Sequence, residues 1–206
     1  MTRAPTAPTD LGDPDGVTLD LDGTLVDYRR SPGELLAVAG DRVGVDPPFP
    51  VEAYYDRFDE FAERTDSMRE LRRECFAALA AERDYDPETG RSLARAFAAE
   101  RDHGNVGWCR GAERFLDGLD GRGVPYAVVT NGPRETQRQK LAAVGLDDRV
   151  EGVVFAGDDC PAKPDPEPIR RGLSVLGVGP ERAVHVGDSG TDLAAARRAG
   201  VRAVIV

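Results

Sequence analysis

Apolar and polar positions alternate differently in the two halves of the chain. Gly16 to Leu21 (GVTLDL) reads as a short buried strand that ends in the turn Asp22-Gly23-Thr24. Ser31-Pro32-Gly33-Glu34 then forms a capping box with Pro at the first helical position, and the apolar run LLAVAG continues it as a helix. VDPPFP at 45–50 breaks the chain before a helix predicted over 51–65. Ser67 and Glu70 make a second capping box, and Asp86-Pro87 starts a helix running to about Arg101. Residues 31–102 therefore read as helical, without strands.

Beyond Gly111 the period switches between helix and strand. Helices are expected over 111–120, 133–144, 166–177 and 190–199, and strands over 125–130, 152–157, 183–187 and 201–206. Strands joined through helices of this length form βαβ units around a parallel sheet buried on both faces. The predicted architecture is α/β: a doubly wound, Rossmann-like sheet of five parallel strands, with an all-helical lobe inserted after the first strand.

Composition narrows the partners. In 206 residues there are 27 Lys+Arg and 37 Asp+Glu, a formal net charge of −10. An acidic surface repels phosphate backbones and anionic lipid, which argues against general nucleic-acid or membrane binding. No apolar run approaches the ~18 residues of a membrane span. The N-terminus, MTRAPTAPTDLGDPDG, lacks the apolar stretch of a secretory signal. A cytoplasmic protein with a frayed tail over residues 1–15 is expected. Cys75, Cys109 and Cys160 are too widely spaced for a disulfide framework or a zinc-ligand pair. Lysine occurs only at Lys140 and Lys163, so 27 − 2 leaves 25 Arg. That bias, with the acidic excess, fits either a high-salt habitat or a GC-rich genome.

Ligands of an open parallel sheet sit beyond the carboxyl ends of the strands. The polar residues there are Asp20-Leu21-Asp22-Gly23-Thr24, Thr130-Asn131-Gly132 and Gly187-Asp188-Ser189-Gly190-Thr191-Asp192, with Lys163 a short loop after the third strand of the sheet. Each has a plainer explanation. Asp22 before Gly23 suits a turn, Thr130-Asn131-Gly132 suits a strand end, and Asp192 can complete a capping box with Ser189. Lys163 would pass for a solvated lysine, but in a chain with two lysines its presence argues for a specific role. His185, inside a buried strand, reads as a packed core residue, and His103 is isolated. Trp108 reads as a packing residue where the lobe rejoins the core. RELRRE at 69–74 reads as a solvated helix face.

Taken together, DLDGT, TNG, AKPDP and VGDSGTD, in this order, resemble the motifs of the haloacid dehalogenase superfamily of phosphatases and phosphotransferases, from about residue 16 to the end. The resemblance is to its phosphoglycolate phosphatase-like branch with a helical cap. It implies a core of residues 16–28 and 106–206 and a cap of residues 29–105. It makes Asp20 a nucleophile that forms an aspartyl phosphate, and Asp22 the general acid and base. Gly23, Thr24, Thr130, Asn131 and Lys163 become phosphoryl-binding residues, Thr130 and Lys163 also counting as catalytic. Mg²⁺ would be held by Asp20, Asp22 through its backbone carbonyl, Asp188 and, directly or through water, Asp192.

The acid at position 22 sets the chain apart from the metal-free dehalogenating members, which carry an aromatic residue there. Tyr28-Arg29-Arg30-Ser31-Pro32 offers neither the His nor the Lys of the sugar-phosphate mutases. The resemblance thus favours a Mg²⁺-dependent phosphatase acting on a small phosphorylated metabolite, as monomer or homodimer. A mutase-type phosphotransferase, or a silent phosphate- or partner-binding member, are the alternatives. The C-terminal strand would form a sheet edge.

Overall fold

The computed structural model describes residues 13–206. Most of the expected tail therefore lies outside the described residues. Asp13–Asp15 are tied down instead: Pro14 is buried, Asp13 pairs with Arg122, and the Asp15 N–H bonds the Arg182 carbonyl.

The elements follow in the order β1 (Gly16–Leu19), β2 (Val26–Tyr28), α1 (Pro32–Val43), α2 (Val51–Asp56), α3 (Phe58–Ala62), α4 (Met68–Ala81), α5 (Pro87–Glu100), β3 (Val106–Trp108), α6 (Ala112–Arg122), β4 (Tyr126–Asn131), α7 (Arg134–Ala143), β5 (Val153–Ala156), α8 (Glu167–Leu176), β6 (Ala183–Gly187), α9 (Gly190–Ala199) and β7 (Arg202–Ile205). Five strands form one parallel sheet in the order β5-β4-β1-β6-β7. The chain moves outward from β1 through β4 to β5, then returns to build β6 and β7 on the other side. The reversal of direction falls around β1, so the carboxyl ends of β4, β1 and β6 surround the crevice where this topology places ligands.

Period-two alternation explains the layers. Val17, Leu19, Val128, Phe155, Val184 and Val186 face one core together with Leu116 of α6 and Leu141 of α7. Val129, Val154 and Ala183 face a second core with Ile169 and Leu173 of α8 and Ala195 and Ala196 of α9. The sheet is buried on both faces, as its near-continuous apolar strands require. α8 lies close to the sheet because Gly172 has no side chain; a Cβ there would stand 2.8 Å from Val129 and 2.9 Å from Thr18.

Contacts divide the chain into two compact units, one containing the described residues up to Arg29 with His103–Val206, the other Arg30–Asp102. The second is all-helical and has its own core, in which Phe76 stacks edge-on against Phe49, Tyr54 and Phe97. Three local details differ from the pattern reading. The helix expected over 51–65 is split at Arg57, which leaves helical geometry (φ −107°, ψ 6°) and ties its guanidinium to Glu60 and Glu82. The second capping box is half made: Ser67 Oγ accepts the Glu70 N–H, but the Glu70 carboxylate reaches the N–H of Asp66, not that of Ser67. The third is an unexpected two-stranded antiparallel ribbon of β2 and β3, pairing Val26 with Trp108 and Tyr28 with Val106. Among the described residues no helix is long and apolar enough to cross a membrane.

Candidate active site

Strand β1 delivers Asp20 to the crevice on a backbone fixed by its neighbour, the Asp20 N–H donating to Val186 O at 2.9 Å. The chain then turns tightly, with the Gly23 N–H bonded to Val26 O. Gly23 is required twice over. Its φ is +76°, and a Cβ there would lie 2.2 Å from an Asp188 carboxylate oxygen. Gly187 serves the same closeness on β6, where a Cβ would fall 2.4 Å from the Asp192 carboxyl carbon. Two glycines thus let three acids, carried on two segments, approach one another.

The centre of the site is Lys163, whose ammonium is buried. It donates to Asp20 Oδ1 at 2.6 Å, to Asp192 Oδ1 at 2.6 Å and to the Val129 carbonyl at 2.9 Å, so all three protons have acceptors. Asn131 fixes the loop that carries it: its side-chain amide donates to the Lys163 carbonyl at 3.0 Å, and its Oδ1 accepts the Lys163 N–H at 2.9 Å. Thr24 Oγ1 lies 3.4 Å from Asp20 Oδ2.

Asp192 is saturated. Its Oδ1 meets Lys163 and His185 Nε2 (3.1 Å), and its Oδ2 meets the Ser189 N–H (3.2 Å) and hydroxyl. Ser189 returns the bond to the Asp192 N–H, completing the capping box at the start of α9. His185 is fully buried in β6 and also meets Thr18 Oγ1 at 3.0 Å through Nδ1. It packs and orients Asp192, as expected for a core histidine.

Burial sets the electrostatics. It pushes the Asp20 carboxyl up to about 6, with Lys163 opposing the rise and Asp192 adding to it. Burial likewise presses on Asp192, but the His185 hydrogen bond, the Lys163 charge and Ser189 together hold it well below the usual carboxylate range. Burial keeps His185 below the ordinary histidine value. Asp20, Asp188 and Asp192 bring ligand oxygens within 4.8 Å of one another, with Asp188 the exposed member. A set of hard carboxylate oxygens, two of them buried around a single ammonium, fits Mg²⁺. Asp20 and Asp188 can hold such an ion, whereas both oxygens of Asp192 are already engaged.

Asp22 is placed differently from the other acids. Its half-exposed carboxylate accepts from Lys140 Nζ at 2.7 and 2.8 Å and from Gln137 Nε2 at 2.8 Å. Gln137 Nε2 also donates to Thr130 Oγ1 at 2.5 Å and lies 3.2 Å from the Asn131 carbonyl. Both partners are buried on α7. The structure brings Asp20, Asp22, Gly23, Thr24, Thr130, Asn131, Lys163, Asp188 and Asp192 together and adds these two. Lys140 carries a signal in the sequence, as the other lysine of a chain with two. Gln137 carries none.

The sequence matches the family of haloacid dehalogenase-like hydrolases over residues 14–200. The chain belongs to the haloacid dehalogenase-like hydrolases. A phosphoglycolate phosphatase of Pectobacterium atrosepticum is 32% identical over 191 residues, 92% of this chain and 78% of that one. A phosphoserine phosphatase of Thermus thermophilus is 42% identical over 121 residues, 58% of this chain and 48% of that protein, so the match spans about half the relative's length. Among solved structures, a haloacid dehalogenase-superfamily hydrolase of subfamily IA from Geobacter sulfurreducens has a TM-score of 0.69 at 24% identity, covering 94% of this chain and 87% of that one. The doubly wound sheet is this family's fold.

Proposed function

We propose that this hydrolase is a Mg²⁺-dependent phosphatase that cleaves a small phosphomonoester through an aspartyl phosphate on Asp20. The observation that carries the reading is the Lys163 ammonium set between Asp20 and Asp192, at the carboxyl end of β1, where a phosphoryl group would meet a buried carboxylate, an ammonium and the two acids, Asp20 and Asp188, that can hold a metal.

Lys163 holds Oδ1 of Asp20 and so turns Oδ2 to the phosphorus. Attack forms the Oδ2–P bond and breaks the bond from phosphorus to the ester oxygen, which takes a proton from Asp22. A water then attacks phosphorus and gives a proton back to Asp22, and cleavage of the Asp20–P bond releases phosphate. Asp20 and Asp188, with the Asp22 carbonyl, would hold Mg²⁺, which would supply the charge that lets a carboxylate approach a phosphoryl dianion. Lys163, releasing one of its present acceptors, and the Thr130 hydroxyl bind the equatorial oxygens, with Asn131, Gly23 and Thr24 shaping the loops around them. Asp192 acts on the reaction through Lys163, which it orients. The helical unit supplies the substrate-selecting cap.

Phosphate release is measured with Mg²⁺ on a panel of phosphomonoesters that includes phosphoglycolate and phosphoserine. Asp20→Asn is expected to lower turnover by at least about a thousandfold, with an unchanged circular dichroism spectrum. Turnover that survives this substitution sinks the assignment of the nucleophile.

A further inference from the structure

A buried lysine is costly, because its ammonium gives up water and only a well-placed partner offsets the loss. At 25 other basic positions this chain carries Arg, so lysine at 140 is a departure from its own habit. The difference is physical: an ammonium is a compact point charge that fits a narrow slot and meets one carboxylate, whereas a guanidinium needs a planar, wider berth. The Lys140 side chain is 5% exposed, lies 5.0 Å from the centre of the Tyr28 ring, and ends between the two oxygens of Asp22. Gln137 stands one turn earlier on the same face of α7 and ties Asp22 Oδ2 to the Thr130 hydroxyl.

We propose that Lys140, assisted by Gln137, is a positioning residue that fixes the Asp22 carboxylate for its proton transfers, and in doing so couples the general acid to the phosphoryl-binding strand end at Thr130. This rests on the phosphatase reading above. Lys140 does not touch the reacting atoms; it acts through Asp22. With Lys140 in place, the ammonium restricts rotation of the carboxylate and leaves its exposed edge to the substrate. Without it, the single Gln137 contact lets the group turn. The loss then falls on the step that needs a correctly aimed proton, departure of a poor leaving group, and spares esters whose leaving group departs unprotonated.

The test compares Lys140→Met with wild type on an alkyl ester, phosphoglycolate, and an activated aryl ester, p-nitrophenyl phosphate. The expected result is a kcat on the alkyl ester lower by about tenfold or more, a kcat on the aryl ester within about threefold, and KM values little changed. Equal losses on both esters, or a rise in KM alone, overturn the proposal in favour of packing or substrate binding. A second measurement needs no turnover. Protein labelled with ¹⁵N at its lysine side chains has two ammonium groups, and Asp22→Asn is expected to shift the resonance that Lys140→Met removes while leaving the Lys163 resonance in place. If neither resonance moves in Asp22→Asn the pairing is overturned, even if Lys140→Met does not fold. No hydrolysis of either ester by the wild-type enzyme counts against the phosphatase reading itself and removes the catalytic role with it, whereas hydrolysis without the ester-dependent loss counts against the positioning role alone.

Discussion

The Asp20 carboxyl, pushed up to about 6 chiefly by burial, makes the metal-free protein pH-sensitive in a definite direction. A folded-state value above the unfolded one means that the native protein binds this proton more tightly. The resulting stability is fully present below the ordinary carboxylate value of 3.8 and is lost as pH rises through about 6. Asp192, held below its ordinary value, contributes in the opposite sense and only at lower pH, so the interval between belongs to Asp20. On the proposed reading Mg²⁺ would compete with this proton for the Asp20 carboxylate. Its stabilising shift in melting temperature, measured against EDTA, should be larger near pH 7.5 than near pH 5; an equal shift at both would remove Asp20 from the metal site. At this scale the sequence was informative where a residue type was scarce or a motif was dense. Lysine scarcity argued for Lys163, and the same argument applied to Lys140, but position 140 sits mid-helix, far in sequence from any strand end. Only the packing of α7 on the sheet reveals that its side chain spans back to Asp22.

Helices α4 and α5 show what an element owes to one missing side chain. Gly90 lies within α5, where glycine weakens a helix by about 1 kcal/mol relative to alanine, yet a Cβ there would stand 2.2 Å from the Phe76 carbonyl oxygen of α4. The clash is with backbone, so the helices must separate. Gly90→Ala should therefore destabilise the helical unit by about 1–3 kcal/mol in urea titration, despite the gain in helix propensity. A neutral or stabilising effect would show that the contact yields freely. Long periodic segments with caps were legible as elements: Ser31 with Glu34 and Ser189 with Asp192 both form reciprocal boxes. The ribbon of β2 and β3 was not, because three residues are too few to display a period. Nor was the break at Arg57, which has no Gly or Pro and depends on Glu82, 25 positions away.

Across the whole molecule the charge distribution is lopsided in kind. Ten more formal negative than positive charges repel one another in the folded state, and many exposed acids are paired with arginines, as Glu88 is with Arg91 and Arg95. Such exposed pairs each contribute little and are screened by salt. Two effects of added KCl therefore oppose each other: screening weakens the pairs and relieves the net repulsion. The repulsion acts over every acidic group, including those without an arginine beside them, while each pair contributes little on its own, so relief should win. The melting temperature is expected to rise from low to molar KCl, with most of the gain at the low end, where the screening length shrinks fastest from about 30 Å at 0.01 M to about 10 Å at 0.1 M. Substituting exposed Asp and Glu by Asn and Gln away from the crevice should flatten that rise. A curve that falls with salt would mean that the arginine pairs, and not the net charge, govern the electrostatics of this fold.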